Sequence, residues 1–573
     1  MSKGPQTQFS DDLHAQKYRA PGETFVEAMN RVAGALKDDE DHFRDIQDVL
    51  KGMRFLPGGR VQAAMGAIKD VSPINCFMSG DITDSFVSED GNIMQRATEA
   101  AATMRLGGGI GTNFSTLRPR GDLITKLSSQ SCGPIGFMEI FDAIGKTVAS
   151  SGHRRGAQMG VLRVDHPDIE EFIHAKNDNH TLTGFNISVL VTDEFMEAVK
   201  EDGDFNLTFE GRVYKTIRAR NLWDMIMRST YDYAEPGVIF IDRIQKENNL
   251  AYCEEITGTN PCGEIPLPAF GACLLGSFNL VKYVNLESNQ FETEKLIADI
   301  PGVVRALDNV IDRAQVWPLP EQELEMKSKR RIGIGVTGLA NALEALGCPY
   351  GSKSFVKGTQ MIMRTLRDEC YRASIKLAAE KGSFPLFDAE PFLSSDFAKR
   401  LPEDVREEIR LHGIRNSHLI AIAPTGTISL CADNISSGLE PVFAYRFDRT
   451  IQKFEGPTIE TVEDYAVREW DVEGRTAGEL TPEEHLNALS ACVPYVDQAI
   501  SKTINCPTDI AWEDFKDVYV RGWREGAKGV TTFRIGGMRG ALLEEKPEPE
   551  QVEETGSALA CEQDPTTGRW DCN

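Results

Sequence analysis

The chain has 573 residues and a formal charge of −25, from 62 Lys and Arg against 87 Asp and Glu. So acidic a surface repels nucleic acid polymers and argues against DNA or RNA wrapping, although a local donor cluster can still hold a small phosphorylated ligand. With 41% apolar and 26% charged residues, the composition is that of a globular protein long enough for one large barrel or several ordinary domains. No apolar run is long enough to span a bilayer. The start, MSKGPQTQFSDD, lacks the apolar core of a signal peptide. A cytoplasmic location is expected, with the 12 cysteines reduced. No C-x-x-C pair occurs, so neither a zinc framework nor any other metal site is expected.

Residues 1–50 read as a helical, polar segment, because ETFVEAMNRVAGALKDDEDHFRDIQDVL repeats its apolar residues at helical spacing. From 51 to 540 short β-branched runs alternate with helical patterns. FNISVLV (185–191) precedes TDEFMEAVKED, GVIFIDRI spans 237–244, and RIGIGVTGLANALEALG (331–347) passes from strand to helix. HLIAIAPTGTISL (418–430) reads as a strand entering a turn. This alternation predicts an α/β architecture with mainly parallel strands in one large domain. Residues 541–573 are acidic, contain proline and have few large apolar residues, which predicts a flexible tail carrying Cys561 and Cys572.

Several glycine-rich stretches invite a phosphate-binding reading. AIGKTV (143–148) has Gly-Lys-Thr but Ile140 where a phosphate loop needs glycine, so an amphipathic helix is expected. LGGGIGTNF (106–114) lacks the dinucleotide spacing and is expected to let two backbones approach closely. SGHRRGAQMG (151–160) offers Arg154 and Arg155 for a mobile phosphate or base contact, or is simply a solvated loop. In APTGTIS (423–429), Thr425, Gly426, Thr427 and Ser429 fit a phosphate cradle at a helix start and equally a plain N-cap turn.

The stretch TNPCGEIPLPAFGACLLGSFNL (259–280) carries the strongest chemistry. Pro261 is expected to keep the backbone extended, which would put Asn260, Cys262 and Glu264 on one side. A carboxylate beside Cys262 opposes thiolate formation. Cys262 therefore suits chemistry in which the thiol stays neutral, such as loss of a hydrogen atom. Glu264 would serve as general base and Asn260 as a hydrogen-bond partner.

With these residues in view, NPCGEIPL followed by Cys273 resembles the radical-bearing finger loop of ribonucleotide reductase catalytic chains. FLPGGR (55–60), INCF (74–77), LRPRGD (117–122), GPIGFMEIFDA (133–143), RRGAQMGVLRVDHPDIEEFI (154–173), RIGIGVTG (331–338) and SGLEPVFA (437–444) continue the resemblance in order. It implies a ten-stranded α/β barrel of two parallel five-stranded halves around a central finger loop. It implies that Cys262 is the thiyl radical that takes the ribose 3′ hydrogen, with Glu264 as the base for the 3′ hydroxyl and Asn260 holding it. It makes Cys76 and Cys273 the dithiol that reduces the 2′ position. Pro424, Thr425, Gly426, Thr427, Ile428 and Ser429 match the loop for the substrate phosphates. Asp84, Ser85, Arg118, Arg154 and Arg155 lie at or near the positions through which dNTP or ATP effectors set specificity, with Arg120 close by.

The family divides by radical source. The stretch GVTTFRIGGMRG (529–540) has Phe533 and no Tyr-Tyr pair, and the chain has no Gly-Tyr dipeptide. FLPGGR, NPCGEI, APTGTIS and GLEPVFA look most like the class that uses adenosylcobalamin (vitamin B12). A catalytic subunit that needs a separate radical-generating subunit is the alternative. The short N-terminus leaves little room for an added ATP cone. In the family a C-terminal cysteine pair, here Cys561 and Cys572, re-reduces the active-site disulfide and passes electrons to thioredoxin or glutaredoxin. A homodimer is implied, with a monomer as the alternative.

Overall fold

The computed structural model describes residues 4–538 other than 68–70, 125–127, 149–156, 179, 317, 454–455 and 535, together with 544–545, 562–563 and 570–571. Among these, no helix is long and apolar enough to cross a membrane. Three helices lead the chain, α1 (Gln8–Tyr18), α2 (Phe25–Leu36) and α3 (Glu40–Lys51). Thr24 accepts from the Glu27 N–H while the Glu27 carboxylate reaches back to Thr24, a capping box that fixes where α2 begins. Its apolar stripe of Phe25, Met29, Val32 and Leu36 is buried, as the helical spacing predicts.

The helices lead into a ten-stranded mixed sheet. After the short β1 (Phe55–Pro57), five strands run parallel in chain order: β2 (Cys76–Met78), β3 (Gly109–Asn113), β4 (Gln158–Arg163), β5 (Phe185–Val191) and β6 (Gly237–Phe240). A hairpin of β7 (Ile256–Thr259) and β8 (Pro266–Pro268) follows. β9 (Ala272–Asn279) is antiparallel to both β1 and β2, and β10 (Ile332–Thr337) lies parallel to β9. β11 (Thr503–Cys506) and β12 (Gly529–Arg534) pair in parallel, and β12 joins β6 antiparallel. β10 is buried along its whole length, as expected of a strand covered on both faces.

The expected barrel of two parallel five-stranded halves is met in part. One half is present as five parallel strands. In the other, 418–423 does not form a full strand, and it meets its neighbours through the isolated parallel bridges Ile334–Ile420 and Ile422–Ile500 and a few further backbone hydrogen bonds. The cause is local: the Leu419 and Ile420 amides donate to the Asp497 carboxylate, both at 2.8 Å, and are withdrawn from a ladder. AIGKT lies in the helix Gly133–Thr147, with Val148 as its C-cap, and Lys146 pairs with Asp142. The glycines of 106–114 do admit a second backbone: a β-carbon on Gly111 would collide with the Thr259 carbonyl.

Candidate active site

The segment 260–264 is the tip of the β7–β8 hairpin, not an extended strand. The Asn260 N–H donates to the Ile265 carbonyl (3.1 Å) and the Gly263 N–H to the Asn260 carbonyl (3.0 Å). The Asn260 Oδ1 accepts from the Ile265 N–H (3.0 Å), so the side chain also braces the turn. Pro261 sits where a β-turn favours proline, and Gly263 has a φ of +82°, open to glycine at no cost. This corrects the expected shared side: Asn260 and Glu264 are each 2% exposed, while Cys262 is exposed. The hairpin is seated by side chains of the parallel half. Asn186 Nδ2 donates to the Pro261 carbonyl and Asn113 Nδ2 to the Thr257 carbonyl, both at 2.9 Å.

Below the turn, Cys76 on β2 stands directly opposite Cys273 on β9. Opposed residues of an antiparallel pair project from the same face. Both are buried, and Asn260 Nδ2 donates to Cys76 Sγ (3.2 Å). Burial pushes the Cys76 thiol well up, and nearby Glu264, Cys273 and Cys262 push it further. Glu264 thus opposes thiolate formation at Cys76. Burial likewise raises Cys273, offset in part by the Arg331 guanidinium. Burial holds the Glu264 carboxyl at about 7 despite hydrogen bonds from its own N–H and from Asn260. Its Oε2 is buried without a protein partner. An exposed thiol, two opposed buried thiols and a half-ionised carboxyl together suit redox chemistry on a polar, hydroxyl-bearing molecule.

Residues 74–533 match the family model described as "Ribonucleotide reductase, barrel domain". The chain is 33% identical to the vitamin B12-dependent ribonucleoside-diphosphate reductase of Mycobacterium tuberculosis, over 93% of this chain and 78% of that protein. It is also 33% identical to the protein of the same name from Thermoplasma acidophilum, over 89% and 70% of the two chains. A ribonucleoside-diphosphate reductase large subunit of Monkeypox virus is 27% identical, over 82% and 63%. The chain belongs to the ribonucleotide reductase family. It is an oxidoreductase of that type.

The other residues singled out for this family fall into separate places. Gly426 opens a short helix, Gly426–Cys431, after Thr425 in the left-handed region (φ +53°). Thr425 does not cap that helix with its side chain, which removes the plain N-cap explanation. Its hydroxyl instead accepts from the Gly438 N–H (2.8 Å) and meets the Thr337 hydroxyl (3.0 Å). Ser429 Oγ donates to the Gly426 carbonyl (3.1 Å) and contacts Ser437 Oγ (2.8 Å). Arg118 pairs with Asp84 (2.5 Å), so two expected effector residues do meet. Ser85 braces the same exposed turn, its Oγ accepting from the Ser88 N–H (3.2 Å). Arg120 turns away to Glu171 (2.6 Å). Arg154, Arg155, Cys561 and Cys572 lie outside the described residues.

Among the described residues, no group of three or more His, Cys, Asp or Glu could hold a metal ion. Sequence reading missed Asn186, Asn113 and Gln498. The first two are amides in strand-forming runs, and Gln498 follows Asp497 inside the apolar stretch VPYVDQAIS. A polar side chain in an otherwise buried run was the available signal.

Proposed function

We propose that the protein reduces ribonucleotides to 2′-deoxyribonucleotides by a thiyl-radical route, with adenosylcobalamin as its radical source. One observation carries the reading: an exposed Cys262 held on a braced turn beside the opposed pair Cys76 and Cys273. The Cys262 sulfur takes the 3′ hydrogen atom from the substrate. Glu264 accepts the 3′ hydroxyl proton, and Asn260 orients that hydroxyl. The 2′ hydroxyl leaves as water. Cys76 and Cys273 supply two protons and two electrons and end as one disulfide, while the hydrogen atom returns to C3′ and restores the Cys262 thiol. Two thiols and one ribonucleotide thus give one disulfide, one deoxyribonucleotide and one water.

The relatives named for vitamin B12 support the cofactor assignment. Cys262 is itself exposed, and the position a side chain would occupy on the adjacent Gly263 has nothing within 4 Å, so the tip of the turn is open to an external group. Adenosylcobalamin, when bound, supplies the one-electron oxidation that turns the Cys262 thiol into a thiyl. The residues 424–429 would hold the substrate phosphates, through backbone N–H groups left uncapped by Thr425. Asp84 and Arg118 would take part in effector control. The mixed sheet would close as the family's ten-stranded barrel, and Cys561 and Cys572 would relay electrons from thioredoxin or glutaredoxin. The test is an assay of the purified chain with adenosylcobalamin, a dithiol and a ribonucleotide. Turnover without a second protein is expected. Turnover only with a radical-generating subunit would overturn the cofactor assignment.

A further inference from the structure

Cys273 has a neighbour with no part in the proposed reaction. Its Sγ lies 3.7 Å from Gln498 Oε1 and 3.4 Å from the carbonyl of Leu274. Gln498 is 2% exposed. Its Nε2 donates to the Ile332 carbonyl (2.9 Å). A carbonyl can only accept, so the NH₂ must face Ile332 and the amide oxygen must face the thiol. The thiol is then the donor, its one hydrogen shared between the Gln498 oxygen and the Leu274 carbonyl.

The segment that presents Gln498 is anchored on every side. Lys528, its side chain 8% exposed, donates to the carbonyls of Val496 (3.4 Å), Asp497 (2.7 Å) and Gln498 (2.5 Å), and pairs with Glu247 (3.2 Å). Asp497 is fixed by the Tyr371 hydroxyl (2.8 Å) as well as by two backbone amides. The Gln498 N–H donates to the Ile420 carbonyl (3.1 Å), and the Ala499 N–H donates to the Glu264 carbonyl (2.9 Å). The same short segment therefore touches both the cysteine turn and the buried thiol pair.

We propose that Gln498 is a positioning residue for Cys273: its amide oxygen receives the thiol hydrogen and favours the dithiol over the Cys76–Cys273 disulfide. This rests on the reading of Cys76 and Cys273 as the reducing pair. Disulfide formation joins the two sulfurs and removes both thiol hydrogens, so the oxygen of Gln498 loses its donor. An interaction present only in the reduced state shifts the equilibrium toward that state. The thiol stays neutral and available as a hydrogen donor, and the oxidised pair is easier for an external dithiol to reduce.

The experiment equilibrates the full chain in buffers of reduced and oxidised dithiothreitol, then alkylates free thiols and measures the Cys76–Cys273 disulfide by peptide mass spectrometry. Replacing one weak buried hydrogen bond should move the equilibrium about threefold. Gln498→Leu should shift it toward disulfide. Gln498→Glu, which keeps an oxygen acceptor in a side chain of nearly the same size, should shift it toward dithiol. General loosening of the site would move both variants in one direction, so equal shifts or no shift overturn the proposal. A disulfide between Cys76 and Cys273 that never forms in the unsubstituted chain would overturn the underlying dithiol reading as well. If either variant fails to fold, infrared spectroscopy decides. The S–H stretch lost in Cys273→Ala should rise in Gln498→Asn, which draws the amide oxygen back and leaves the Leu274 carbonyl in place, and an unshifted band overturns the proposal.

Discussion

The cysteine turn and the thiol pair beneath it solve opposite problems with the same side chain. Cys262 is exposed at the tip of a hairpin whose backbone is locked by Asn260 and Gly263. Cys76 and Cys273 are sealed and set opposite each other by strand register. Exposure leaves Cys262 open to groups from outside, and burial keeps the other two protonated. A thiol's role here follows from its surroundings rather than from its reactivity as a free residue.

Removing one member from each region gives the largest expected effects. Cys262→Ser should lower turnover by more than about 10³-fold, because serine cannot yield the radical, while nucleotide binding is kept. Cys273→Ser should also stop turnover. Thiol counting after mild oxidation separates the two, since the Cys76–Cys273 disulfide should still form in Cys262→Ser and cannot form in Cys273→Ser. Retained turnover in Cys262→Ser would end the radical assignment.

Glu264 joins the two regions, and its ionisation gives the next effect. With its carboxyl held at about 7, the rate limited by this base should fall about tenfold per pH unit below that value. Glu264→Gln should cost about 10²- to 10⁴-fold in turnover above pH 7, and the cost should shrink as pH falls below that value. Stability should move the other way. The folded-state value lies above the ordinary 4.5, so the folded protein holds the proton more tightly than the unfolded chain. That contribution is full below 4.5 and is lost as pH rises to about 7. Above that, burying the charged form costs up to about 3 kcal/mol, which Glu264→Gln should recover. Urea unfolding at pH 8 should show the variant as the more stable protein, with the gap closing toward pH 4.5. An equal gap at both pH values would contradict a buried, proton-holding Glu264.

How much of this was legible in the sequence differs between the same two regions. The turn announced itself locally, through a thiol, an amide and a carboxylate among prolines. Its geometry was misread because an Asn side chain that bonds its own backbone, with a glycine at positive φ, overrides the extended bias of Pro261. Cys76 and Cys273 carry no local signal. They are joined by the register of strands far apart in the chain, and only the family resemblance paired them. Gln498 had neither kind of signal beyond being polar in an apolar run. The α/β alternation was legible in the parallel half, but not at 418–423, where the Asp497 carboxylate takes amides that a strand would have used.

Two glycines test how tightly the turn is placed. Gly111→Ala would press a methyl group on the Thr259 carbonyl at the foot of the hairpin. A displacement near 1 Å at the reacting sulfur should cost about 10- to 100-fold in turnover. Gly263→Ala should do less. Its β-carbon enters open space, so only the positive φ of +82° opposes it, at about 1–2 kcal/mol of backbone strain. The strain should appear as a modest loss in thermal stability. Turnover should fall only severalfold, because Asn260 still braces the turn from the other side. If Gly263→Ala instead abolished turnover while leaving stability intact, the space beside Cys262 would be needed empty for the incoming group. That would make access, rather than the fixed backbone, the property that separates Cys262 from the buried pair.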